Sequence, residues 1–156
     1  MSLIIWDFLN TLYNSKEQKL CKGAEDLLRH LHTKHTQVLI SSNLFPEKRK
    51  KLVKALGIDI YFDKIIIVKG LKSPRILAKI CKQYECKPEE TYIIGDSLAN
   101  EIRGGSRLNM KTIWIKRAPG STFKEEFLRI KYWKKVSNLS QLSKLISINL
   151  KASNSP

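Results

Sequence analysis

Acidic residues are scarce in this chain: 14 Asp and Glu stand against 29 Lys and Arg, for a formal net charge of +15. Such a balance favours anionic partners, whether phosphate esters, nucleic acid or an acidic surface. No apolar run approaches the length of a membrane span and no signal-peptide pattern opens the chain, so no membrane is expected as a partner. Cysteine is limited to Cys21, Cys81 and Cys86, an odd number without metal-type pairing. That argues against a disulfide framework and a zinc site, and a cytoplasmic location is expected. Aromatic residues make up 8% and do not alternate with arginine as binding platforms for single strands require. Nucleic acid remains a candidate partner on charge alone. No internal repeat or linker divides the 156 residues. One core domain over 1–150 is expected, with a frayed polar tail over 151–156.

The most informative stretch that is present runs from Leu3 to Tyr13. Leu3 to Trp6 is a short apolar run of the kind found in buried parallel strands, and it ends on Asp7. In open α/β sheets the ligand site lies beyond the carboxyl ends of the strands, which puts Asp7 at the mouth of a site. A strand-terminal Asp that satisfies turn amides is the plainer alternative. A second strand-end carboxylate further along tips the balance towards chemistry.

After a turn over Asn10 to Ser15, the apolar stripe of Leu20, Ala24, Leu27, Leu28 and Leu31 predicts a helix over 17–33. His30, His32 and His35 at its end read as residues favoured by the helix dipole rather than as metal ligands. Gln37 to Ile40 predicts a second strand, ending on Ser41, Ser42 and Asn43. A helix opens at Pro46 and stops at Gly57, with Lys48 to Lys51 expected on its solvated side. Ile65 to Val68 is a third strand, and Ser73-Pro74 caps the next helix. Thr91 to Ile94 is a fourth strand, ending Gly95-Asp96-Ser97. A helix to about Arg107 follows, with Gly104 and Gly105 packed against the sheet. Lys111 to Ile115 is a fifth strand. Residues 121–135 read as helix or ordered loop, and Asn138 to Ile148 as an amphipathic helix. Alternating strands and helices predict a doubly wound parallel sheet.

The strand ends would then gather Asp7, Ser42 with Asn43, Lys72, and Asp96 with Glu101. Two carboxylates suit a Mg²⁺ ion, which takes hard oxygen ligands and a substrate phosphate oxygen. The ion and a lysine neutralise charge that otherwise repels a phosphate from an aspartate nucleophile. A serine hydroxyl donates to a phosphoryl oxygen.

These segments resemble the four motifs of the haloacid dehalogenase (HAD) superfamily. Asp7-Phe8-Leu9-Asn10-Thr11-Leu12 is similar to the first, Asp-x-Asp-x-Thr. Val38 to Asn43 resembles the second, Lys72-Ser73-Pro74 the third, and Gly95 to Ile102 with Gly104-Gly105 the fourth. The resemblance covers about residues 3–117, in the family's order. It implies a Rossmann-like α/β fold of three layers, α/β/α, with a five-stranded parallel sheet in strand order 5-4-1-2-3. It implies Asp7 as the nucleophile of an aspartyl-phosphate. Mg²⁺ would be held by Asp7, the Leu9 backbone carbonyl and Asp96, with Glu101 where the family usually has Asp. Ser42 would bind the phosphoryl group and Lys72 would steady nucleophile and phosphate.

Three departures qualify this. Leu9 stands where family phosphatases carry the Asp that protonates the leaving group and activates water. General acid–base help is typically worth about 10² to 10⁴ in rate. Haloacid dehalogenases, P-type ATPases and phosphonatases also lack Asp there. Ser73 separates Lys72 from Pro74, which leaves Lys69 as an alternative lysine, and Ser41 competes with Ser42. Caps enter this family after the first motif or between the second and third, and neither interval is long enough for one. The expectation is a capless Mg²⁺-dependent phosphatase acting on a phosphorylated small molecule or macromolecule. Two other readings stay open. One is a catalytically impaired protein of this fold that binds phosphorylated ligand, nucleic acid or a protein partner. The other is a dehalogenase-like hydrolase.

Overall fold

Six parallel strands form the sheet of the computed structural model, which describes residues 1–117 and 129–152. In chain order the elements are β1 (Leu3–Trp6), a small antiparallel ribbon of β2 (Tyr13–Asn14) and β3 (Lys19–Leu20), α1 (Ala24–His32), β4 (Thr36–Ser42) and α2 (Pro46–Ala55). There follow β5 (Lys64–Val68), α3 (Pro74–Gln83), β6 (Tyr92–Gly95), a wide helical turn (Leu98–Ile102), α4 (Arg103–Ser106), β7 (Lys111–Ile115), β8 (Lys134–Val136) and α5 (Leu139–Ala152). The sheet order is β5-β4-β1-β6-β7-β8. Its first five members reproduce the expected order, read from the other edge.

β8 is a sixth strand beyond the five expected. It pairs parallel with β7 through Ile113–Lys134 and Ile115–Val136. Its sequence, Lys-Lys-Val, is too short and too polar to register as a strand. Its place is set by β7's free edge, and only Val136 of the three is buried. The ribbon corrects a second expectation. The helix placed over 17–33 begins at Ala24, because Gln18 and Gly23 sit at φ 51° and 79° and turn the chain before it. Leu20 belongs to β3. The expected strands and the starts of α2 and α3 stand where the sequence placed them. Ser73 Oγ accepts the Ile76 amide at 3.4 Å, and Gly57, just past α2, adopts φ 70°. Of the expected frayed tail, Lys151 and Ala152 are still helical, and 153–156 lie outside the described residues, as does much of 121–135.

Strand alternation sends β1 side chains to two separate cores. Ile4 and Trp6 pack with Leu28, Leu31, Val53 and Leu142 on one face, under α1, α2 and α5. Leu3 and Ile5 pack with Leu77, Ile80 and Ile93 on the other, under α3. With helices on both faces the layers are α/β/α, as expected. No helix among the described residues is long and apolar enough to cross a membrane.

The paired glycines of α4 bring the second half of the site against the first. A Cβ on Gly104 would lie 2.5 Å from the backbone oxygen of Lys72, and one on Gly105 would lie 2.5 Å from Ile93 Cγ2. Gly104→Ala therefore forces the α4 backbone off the lysine loop. The expected cost is about 1–3 kcal/mol, read as a lowered Tm. Gly70→Ala, with nothing within 4 Å of the added carbon, leaves Tm unchanged.

Candidate functional site

The carboxyl ends of four neighbouring strands deliver the polar groups to one place. Asp7 follows β1, Ser41 and Ser42 close β4, Lys72 lies four residues past β5, and Asp96 follows β6. They line a pocket of about 170 Å³ together with Leu9, Asn10, Ser97, Asn100 and Glu101. A larger cleft of about 1090 Å³ opens elsewhere, beside Leu3, His35, Tyr92 and Lys111 at the amino ends of the strands. That is the wrong end for the ligand site of an open α/β sheet, and it contains none of the three clustered carboxylates.

Lys72 is the centre of the pocket. Its ammonium donates to Asp7 Oδ1 and, at 3.0 Å, to Glu101 Oε2. All three side chains are almost fully buried, at 4%, 6% and 1% exposure for Lys72, Asp7 and Glu101. The lysine's own backbone is pinned as well, its amide donating to Asn100 Oδ1 at 2.8 Å. Lys69 is exposed and does not line the pocket, so the structure brings Lys72 and not Lys69 to the carboxylates. Glu101 also accepts the Ser97 amide at 2.9 Å, which holds its carboxylate across Gly95, where any Cβ would collide with it. In the wide turn carrying Glu101, the Ile102 amide donates to the Ser97 carbonyl five residues back, at 3.4 Å. Asn100 and Glu101 thereby share the pocket wall.

Asp7, Asp96 and Glu101 each offer an oxygen, and the three oxygens lie within 4.8 Å of one another. Three close carboxylates against one ammonium leave the site short of positive charge. Burial, then repulsion from Asp7 and Glu101, pushes the Asp96 carboxyl up to about 8. Burial and then Asp7 push Glu101 up to about 7. For Lys72, burial works to lower its pKa, but the Asp7 and Glu101 charges outweigh it and hold the ammonium above its ordinary value. An all-oxygen donor set with excess negative charge fits a hard divalent cation.

Ser42 lies on the pocket wall, its hydroxyl donating to the Gly70 carbonyl at 2.8 Å. Asn43 turns its amide oxygen back to the Phe45 amide at 2.7 Å and is not among the pocket residues. Ser41 lines the pocket too and accepts a 2.7 Å bond from Arg49 Nη1. Arg49 corrects the expectation of a wholly solvated 48–51 run. It is 7% exposed, with its guanidinium over the Phe8 ring at 4.9 Å. Phe8 in turn stacks on Tyr13. Nothing in a run of four cations marks one as buried; only the docking of α2 on β4 does. Thr11 is a second residue not singled out in advance. Its hydroxyl donates to Asp7 Oδ2 at 2.9 Å. The available signal was its i+4 spacing from Asp7 within the first motif. Trp114 Nε1 holds the Asp96 carbonyl at 3.0 Å from the neighbouring strand.

Comparison with known proteins adds relatives to this geometry. Residues 4–115 match the family model described as haloacid dehalogenase-like hydrolase. Over 98 residues the chain is 32% identical to a glyceraldehyde 3-phosphate phosphatase of Pyrococcus furiosus, covering 60% of this chain and 41% of that one. The chain spans less than half the length of the curated relatives it matches. Among solved structures, a HAD phosphatase from Thermococcus onnurineus superposes with a TM-score of 0.75 at 15% identity, covering 94% of this chain and 98% of that one. The magnesium-bound putative HAD-hydrolase YfnB from Bacillus subtilis gives 0.68 at 22%, covering 81% and 55%.

The raised Asp96 and Glu101 carboxyls make the stability of the metal-free protein depend on pH in a stated direction. Between the ordinary carboxylate value, about 4, and about 8 the folded state binds protons that the unfolded state has released. Stability therefore falls as pH rises through that window. Thermal melts in chelator from pH 5 to 8.5 should show Tm dropping by several degrees. Asp96→Asn removes one of the two proton sites and should flatten the slope.

Proposed function

The chain belongs to the haloacid dehalogenase-like hydrolase family, and we propose that it is a Mg²⁺-dependent phosphohydrolase working through an aspartyl-phosphate on Asp7. One observation carries this reading. A buried lysine is clamped between two carboxylates beside a third, at the strand ends where a phosphate ester would enter. Phosphatase relatives support the choice of phosphoryl over halide chemistry. Asp7, Asp96 and Glu101 are the carboxylates that would hold Mg²⁺, with the Leu9 carbonyl as a further ligand. The ion supplies charge neutralisation at the phosphoryl oxygens.

This chain's own groups do the rest. Lys72 and Thr11 fix the Asp7 carboxylate in one orientation through its two oxygens. A preset nucleophile of this kind lowers the entropy cost of attack. As the bond from an Asp7 oxygen to phosphorus forms, the bond from phosphorus to the leaving oxygen breaks. Water then attacks phosphorus as the bond from phosphorus to the Asp7 oxygen breaks, which releases inorganic phosphate, restores the carboxylate and passes the water's proton to bulk solvent. Lys72 stays charged across the neutral range and follows the charge as it moves from Asp7 onto the phosphoryl oxygens. Ser42 is the hydroxyl for the phosphoryl group, and Asn43 shapes the loop beside it. Ser41, held by Arg49, adds a second hydroxyl to the wall.

The two intervals where the family inserts caps hold the β2–β3 ribbon with α1, and α2 with a single 3-10 turn (Asp59–Tyr61) and β5. We read the site as open for that reason. Leu9 favours a second reading, a phosphate-binding protein that does not turn over, because leucine can neither protonate a leaving oxygen nor activate water.

Hydrolysis of a generic aryl phosphate separates the two. Wild type should release phosphate only with Mg²⁺, and Asp7→Asn should abolish the release. Leu9→Asp should speed hydrolysis of alkyl phosphates by about 10² to 10⁴. Activity that appears only in Leu9→Asp supports the binding reading, and silence from every variant sinks the phosphohydrolase reading.

A further inference from the structure

We infer that the mouth of this pocket takes aryl phosphates, with the phenol ring seated on an exposed apolar rim formed by Leu44, Phe45 and Leu71. The inference rests on the phosphohydrolase reading and adds the class of leaving group. Two independent features of the structure lead to it.

The first is the rim. A pocket of about 170 Å³ has room for a phosphoryl group and little more, so the rest of the substrate lies at its mouth. Ser42 at the end of β4 and Lys72 in the loop after β5 line the pocket, and Leu44 and Phe45 follow the first in the chain while Leu71 precedes the second. Leu44 is 71% exposed, Phe45 61% and Leu71 72%. They are three of the six large apolar side chains most exposed among the described residues. Exposed side chains of that size on loops beside a site offer apolar surface for a ligand group to cover. The loops are rigid. Ser42 Oγ bonds the Gly70 carbonyl at 2.8 Å and the Asn43 amide bonds the Val68 carbonyl at 2.9 Å, tying one loop to the other. The Phe45 amide is held by Asn43 Oδ1 at 2.7 Å, and the amide after Leu71 by Asn100 Oδ1 at 2.8 Å. The Lys48 ammonium lies 5.0 Å from the centre of the Phe45 ring, so the rim is apolar with a cation beside it, which suits an aromatic anion.

The second feature is the missing acid. Among the described residues, the pocket lining contains no histidine, cysteine or tyrosine, and Leu9 stands at its wall. With Mg²⁺ held as proposed, its three carboxylates are metal ligands and carry no proton, and Lys72 is taken up by Asp7 and Glu101. The leaving oxygen therefore departs without a protein proton. It takes the bonding pair from phosphorus, leaves as the anion and picks up its proton from bulk water. A phenol, with a pKa of about 10 as in tyrosine, tolerates this. An alkanol, with a pKa near the 15.7 or so of bulk water, does not. The exposed apolar loops and the missing acid thus favour an aryl leaving group on separate grounds.

The test combines binding with turnover. Calorimetric titration of the Mg²⁺-loaded protein with phenylphosphonate and methylphosphonate reads the rim without any chemistry. Phenylphosphonate should bind roughly tenfold more tightly, and Leu71→Ser or Leu44→Ser should each erase most of that ratio. Equal affinities, or a ratio that survives both variants, overturns the inference. Sedimentation of the same variants shows whether a second copy of the chain covers the rim. Loss of a dimer with the ratio intact also overturns the inference. Acetyl phosphate, which has a good leaving group and no ring, reports on the phosphohydrolase reading alone. Its hydrolysis without a phenyl preference leaves that reading standing and the rim refuted. A phenyl preference with neither acetyl nor phenyl phosphate cleaved refutes turnover and keeps the rim.

Discussion

A lysine ammonium buried between two carboxylates, with a third close by, is the constraint on which the rest of this structure depends. Burying Lys72, Asp7 and Glu101 forfeits the hydration of three charges, a cost that good geometry and further hydrogen bonds must offset. The geometry is supplied. Glu101 receives the Ser97 amide, Asp7 receives the Thr11 hydroxyl, and the Lys72 backbone is held by Asn100. The balance of charge is not. With Asp96 adjacent, three carboxylates face one ammonium, a surplus of two negative charges, and burial turns that surplus into proton affinity on Asp96 and Glu101. The same imbalance is what suits the site to the divalent cation and the migrating phosphoryl charge of the proposed function.

The fold serves this cluster by bringing distant chain segments to one sheet edge. Asp7 and Lys72 are 65 residues apart in sequence, and Lys72 and Glu101 are 29 apart. Parallel pairing puts every carboxyl end on the same side, so β1, β4, β5 and β6 deliver their loops together. Glycine then sets how close the last segment comes. Gly95 leaves space for the Glu101 side chain, and Gly104 lets α4 lie against the Lys72 carbonyl. The two apolar cores hold the strands from either face, so the site stands on a rigid platform although most of its residues are in loops.

Leu9 and the rim shape the chemical character of the site together. An apolar residue at the pocket wall removes the group that would help a poor leaving group depart. In the inferred substrate mode, exposed Leu44, Phe45 and Leu71 outside the wall would provide affinity for a substrate that needs no such help. The strongly basic surface acts at longer range, favouring approach of any anion without selecting among them.

The order of five of the six strands came from the resemblance to the haloacid dehalogenase superfamily, while the strands themselves, the starts of α2 and α3, and the gathering of Asp7, Ser42, Lys72, Asp96 and Glu101 were legible in the sequence. Each rests on a local signal: an apolar run ending in a polar residue, a Ser-Pro or Pro-Glu start, a glycine stop. Tertiary structure alone decided the rest. It chose Lys72 over Lys69, because only the former lies where Asn100 and Glu101 converge on it. It buried Arg49 against Phe8 and Ser41, made a strand of Lys134–Val136, and folded Lys19–Leu20 back on Tyr13–Asn14. In each case the deciding partner lies in another segment of the chain: a free sheet edge, a docked helix or a facing turn. Sequence periodicity reports what a segment prefers by itself. The burial of a charge or the pairing of a polar strand depends on what the fold sets beside it.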